Sequence, residues 1–83
     1  MALLPLSANF ENDLVALLVP VDDQDTVEVV GQKIAQLTVG HRVAARPAPI
    51  RVRHEGRVLP PEQRIGEAGV GPLDHVEAFF DAS

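Results

Sequence analysis

Eighty-three residues allow one domain, and their 46% hydrophobic content is enough for a core, although a chain this short buries only roughly 60% of its unfolded surface. The formal charge of −5 argues against a nucleic-acid binder, which needs clustered Lys and Arg, and the lack of Cys removes disulfides, thiol chemistry and Cys-based metal sites. No apolar run approaches the ~20 residues of a membrane span, and Met-Ala-Leu-Leu-Pro at the start has neither the basic region nor the long apolar core of a signal peptide, so a cytoplasmic protein without membrane contact is expected.

In chain order, Leu4, Leu6, Ala8 and Phe10 alternate with Pro5, Ser7 and Asn9 at strand period. Pro5 has no N–H, which favours an edge position or the strand start. Glu11-Asn12-Asp13 supplies turn residues, and a second strand runs from Leu14 to Val19 or Val21, closing a hairpin. Leu14-Val15-Ala16-Leu17-Leu18-Val19 does not alternate, so both of its faces are apolar. One helix covers one side of a small sheet, so the second face of this strand reads either as a few exposed aliphatics of a central strand, common on protein surfaces, or as a face that docks on another protein.

Asp22 to Thr38 organises the chain. Val27, Val30, Ile34 and Leu37 recur at i, i+3, i+7 and i+10, the spacing of one helical face, which predicts a helix over about 26–39. Asp25 or Thr26 suits the N-cap, Glu28 stands at capping-box spacing from Asp25, and Gly40 is a plausible stop. The acidic residues Asp22, Asp23, Asp25 and Glu28 suit the positive end of the helix dipole. Gly31 on the helix costs up to about 1 kcal/mol relative to Ala, and reads either as a close approach of the sheet or of a partner or as a plain cost that packing absorbs.

Val39 to Pro49 reads as a connector. Ile50-Arg51-Val52-Arg53-His54 alternates cleanly, Glu55-Gly56 is a two-residue hairpin turn, and Arg57-Val58-Leu59 returns before Pro60-Pro61. Glu62 to Gly71 is a loop with one helical or 3₁₀ turn near Arg64 to Ala68. His75 to Phe80 is the last strand, with Val76, Ala78 and Phe80 inward and His75, Glu77 and an exposed Phe79 outward.

No self-contained active site emerges. His41, His54 and His75 are dispersed, and a lone surface His is more often solvated than ligating. No Glu-x-x-His pair of the kind that builds a carboxylate-bridged di-iron centre occurs. Ser7 and Ser83 lack the nucleophile elbow. Gly66-x-x-Gly69-x-Gly71 precedes no helix and reads as loop punctuation. An EF-hand loop counted from Asp23 would put Glu28 and Ile34 where Gly and Glu are needed. Arg51, Arg53 and Arg57 on one hairpin read as a solvated face or as a surface for an acidic partner. A binding or structural element is expected, with no catalytic, cofactor-binding or metal residue of its own. The expected partner interface comprises Leu17, Arg51, Arg53 and Phe79.

The element order resembles the β-grasp, or ubiquitin-like, α+β fold: a mixed four- to five-stranded sheet over one main helix, as a single domain spanning 1–83. Asp25-Thr26-Val27-Glu28-x-Val30 opens the helix as ubiquitin's does. The chain as read ends Phe80-Asp81-Ala82-Ser83, without the Gly-Gly of ubiquitin-like modifiers and sulfur carriers, so that reading is set aside. A closer resemblance rests on Asn9-Phe10-Glu11-x-Asp13, Leu18-Val19-x-Val21-Asp22, Asp25, Val30 and Lys33. It continues through Arg42-Val43, Arg51-Val52-Arg53, Leu59-x-Pro61 and Ala68-Gly69-x-x-Pro72. Together these are similar to the small (gamma, or B) subunit of bacterial multicomponent toluene and alkene monooxygenases. The helix is more aliphatic and less charged than is usual in that family.

That resemblance implies a non-catalytic subunit of a hydroxylase that oxygenates aromatic or alkene hydrocarbons. It implies a large partner subunit holding a di-iron centre, a second helical subunit and a doubled assembly. Electrons would come from NADH through a reductase and a Rieske-type ferredoxin, with O2 as oxidant and a small effector protein regulating turnover. The alternative is a free ubiquitin-like adaptor of another bacterial complex. The identity of the hydrocarbon is set in the large subunit's pocket and is not written in this chain.

Overall fold

The computed structural model describes residues 2–39 and 47–81. Among the described residues, five strands and one helix follow the order β1 (Leu3–Phe10), β2 (Leu17–Asp22), α1 (Val27–Thr38), β3 (Ile50–His54), β4 (Arg57–Val58) and β5 (His75–Phe80), with a 3₁₀ turn at Ile65–Glu67. The sheet order is β2-β1-β5-β3-β4. β1 and β5 run parallel, and the other neighbouring pairs are antiparallel. This mixed sheet over one helix is the expected α+β architecture.

The alternation in β1 is realised residue by residue: Leu4, Leu6, Ala8 and Phe10 are buried, and the residues between them are not. β1 is an inner strand, so Pro5 is not at an edge. It stands opposite Pro20 of β2. Two prolines cannot exchange N–H bonds, so this is a non-hydrogen-bonded pair and the backbone polar groups of Pro5 turn away from β2. There its carbonyl accepts from Leu73 N–H at 2.7 Å, below the point where pairing with β5 begins at Ser7.

The second strand starts at Leu17 and not at Leu14. Leu14, Val15 and Ala16 lie exposed outside the ladder. Asp13 Oδ1 takes the Val15 N–H at 3.2 Å, and Asn9 Nδ2 donates to the Asp13 carbonyl at 3.4 Å. These local side-chain bonds replace the ladder bonds that strand propensity alone would suggest.

The helix buries Val27, Val30, Gly31, Ile34, Ala35 and Thr38. Leu37, expected on this face, is 46% exposed, and Thr38 takes its place. Thr38 can be buried because its hydroxyl donates to the Ile34 carbonyl at 3.0 Å. Thr26 is the N-cap, its Oγ1 accepting from Val29 N–H at 3.3 Å. The N3 position is therefore Val29, and Glu28 closes no capping box. The other free N–H groups of the first turn are met by the loop after β4: Val27 donates to Gln63 and Glu28 to Pro61, at 2.8 and 3.0 Å. Gly40, the expected stop, lies outside the described residues.

Gly31 fits its place because a Cβ there would stand 3.1 Å from Ile50 Cγ2 and 3.2 Å from Val52 Cγ2. The close approach is to β3. Glu55 and Gly56 both have positive φ, 53° and 79°, which makes the β3–β4 connection a two-residue turn of type I′ character. The core between helix and sheet is aliphatic, joined by Phe10, whose ring lies 4.9 Å from that of Phe80. Each fully buried Leu, Ile or Phe in it stabilises by about 1.5–3 kcal/mol. Among the described residues no helix is long and apolar enough to cross a membrane.

Candidate interaction surface

Side chains that alternate with the core form the sheet face turned away from α1. β1 contributes Leu3, Pro5, Ser7 and Asn9, and β2 contributes Leu18 and Pro20. β5 contributes His75, Glu77 and Phe79, and β3 contributes Arg51 and Arg53.

One half of this face is polar and internally paired. Arg53 Nη1 donates to Glu77 Oε1 at 2.6 Å, and its Nη2 lies 3.8 Å from Glu11 Oε2. The same guanidinium sits 4.3 Å above the Phe79 ring. Phe79 faces outward as its position in β5 predicts, but it is not exposed: it retains 9% of its surface because Arg53 lies over it. Asn9 Nδ2 reaches Glu77 Oε2 at 3.5 Å. His75 Nε2 donates to Asn9 Oδ1 at 2.7 Å, and its Nδ1 meets Ser7 Oγ at 2.9 Å. In that tautomer the serine hydroxyl is the donor and Nδ1 the acceptor. The shallow groove between Asn9, Arg53, Glu55, Gly56, His75 and Glu77 is lined by this same network.

The four expected interface residues therefore separate. Arg51, Arg53 and Phe79 share the outer face. Leu17 is on the other side with Val19 and Val21, partly buried against the core. Arg57 is on the helix side, with Nη2 3.5 Å from the Ala68 carbonyl.

His54, read from sequence as a surface residue, is buried at the end of β3, with Nε2 3.5 Å from Asp74 Oδ2. His41 lies outside the described residues. His54 and His75 face opposite sides of the sheet. Among the described residues no three His, Asp or Glu side chains converge to hold a metal ion, so these residues do not fit a di-iron ligand set.

The acidic stretch before α1 is used structurally. Asp25 Oδ2 accepts from Lys33 Nζ at 2.6 Å and from Asp22 N–H at 3.1 Å. The lysine bond, aided by the backbone N–H, holds the Asp25 carboxyl below the usual range, against opposing burial. Asp23 is also lowered, chiefly by the N–H of Ala2, which donates to it at 3.0 Å.

Residues 3–80 match the family described as Toluene-4-monooxygenase system protein B (TmoB). The chain belongs to this family. It is 34% identical to the Toluene-4-monooxygenase system, hydroxylase component subunit gamma, of Ectopseudomonas mendocina over 83 residues, covering 98% of this chain and 99% of that one. A chain in the solved Toluene 4 monooxygenase HD complex with the inhibitor 4-bromobenzoate superposes with a TM-score of 0.91 at 33% identity, over 96% of this chain and 100% of that chain. The ubiquitin of Caldiarchaeum subterraneum superposes with a TM-score of 0.72 at 16% identity, covering 99% of this chain and 98% of that one. The last likeness shows the β-grasp fold alone. The TmoB resemblance read from scattered motifs thus holds along the chain, from β1 to the end of β5.

Proposed function

We propose that this chain serves as the non-catalytic gamma-type subunit of the hydroxylase of a multicomponent monooxygenase. The observation that carries the proposal is the end-to-end correspondence with a chain of the toluene 4-monooxygenase complex, in sequence and in backbone. It favours a hydroxylase subunit over a free adaptor.

In this reading the partner is the large subunit, which holds a carboxylate-bridged di-iron centre, with a second helical subunit in an assembly that is doubled. The di-iron centre supplies the oxygen-activating chemistry, with NADH as the electron source and an aromatic or alkene hydrocarbon as substrate. This chain contributes a stiff, metal-free surface that braces the large subunit in the cytoplasm. The donor set supports that division of labour, because the histidines of the described residues stand on opposite sides of the sheet. So does the state of the polar outer face, where the Arg53 guanidinium is engaged within the chain by Glu77, Glu11 and the Phe79 ring.

The test is co-expression of the tagged chain with the large and second helical subunits from its own gene neighbourhood, followed by size-exclusion chromatography and iron analysis. Co-elution in equal amounts with an iron-containing complex is expected. A chain eluting alone, with no iron protein attached, would return the adaptor reading.

A further inference from the structure

We draw no further inference here: the strongest candidate, the apolar strip of Leu3, Pro5, Leu18 and Pro20 on the outer face of β1 and β2, is an unpartnered face, and nothing in the structure shows what covers it.

Discussion

The Arg53 guanidinium stands 4.3 Å above the Phe79 ring while its Nη1 is fixed by Glu77 at 2.6 Å. The carboxylate and the ring together hold a cation flat against the sheet, and this turns an outward phenylalanine into a nearly buried one. A partly exposed cation–π contact contributes about 0.5–1 kcal/mol. In urea unfolding, a double-mutant cycle of Arg53→Ala and Phe79→Ala is expected to give a coupling energy of that size. Additivity of the two single losses would show that the stacking contributes nothing.

This pairing was only half legible in the sequence. The alternation of β5 places Phe79 outward, but strand period says nothing of which neighbouring side chain will cover it. The cover comes from β3, whose place beside β5 is a fact of sheet order. Leu37 and Thr38 teach a related lesson. Polarity alone favours the leucine for the core, yet the threonine satisfies its hydroxyl on the Ile34 carbonyl and takes the buried position. His54 misleads for the same reason: a histidine at a strand end looks solvated until Asp74, twenty positions on, is folded beside it. Local signals served better where chemistry is local. The Leu4-to-Phe10 alternation, the Thr26 cap and the Glu55-Gly56 turn all form as their residue types dictate. The mixed sheet followed from resemblance, and the parallel β1–β5 pairing that makes it mixed is not written in any local periodicity.

Leu17 and Leu18 are neighbours with opposite duties. Leu17 packs partly against the core, and Leu18 is 65% exposed. Leu17→Asp is expected to destabilise the isolated chain by about 1–3 kcal/mol through loss of apolar burial and desolvation of the carboxylate. Leu18→Asp is expected to stay within about 0.5 kcal/mol of the wild type, as surface substitutions do. Equal melting temperatures for the two variants would contradict the side of the sheet assigned to Leu17.

Two glycines are held by contact. At Gly66 a Cβ would meet the Asp23 carbonyl oxygen at 2.9 Å, and Gly66 N–H donates to that same oxygen at 3.0 Å. Backbone cannot yield as a side chain can, so Gly66→Ala is expected to cost about 1–3 kcal/mol. At Gly31 the obstacles are methyl groups of Ile50 and Val52, and alanine regains up to about 1 kcal/mol of helix propensity. Gly31→Ala is therefore expected to cost less than Gly66→Ala in thermal unfolding. The reverse order would contradict the packing of the loop on Asp23.

Acid should loosen the start of the helix. The Asp25 carboxyl is held below its ordinary value of 3.8 by Lys33, so its ionised form is favoured in the folded state. Its contribution is fully present above the unfolded value and is lost as the pH falls through the lower, folded one. Asp25→Asn is expected to lower stability at neutral pH and to make the acid limb below about pH 4 shallower. An unchanged acid limb, followed by circular dichroism, would show that Asp25 is not among the groups that carry it.

The central claim is that this chain is an integral hydroxylase subunit without chemistry of its own. Native mass spectrometry of the hydroxylase, isolated through a tag on this chain, tests both halves at once. Equal copies of this chain and the large subunit are expected in the intact assembly, and a released chain with the mass of the bare polypeptide. A tagged chain that ionises alone, or one that leaves the complex carrying iron, would contradict it.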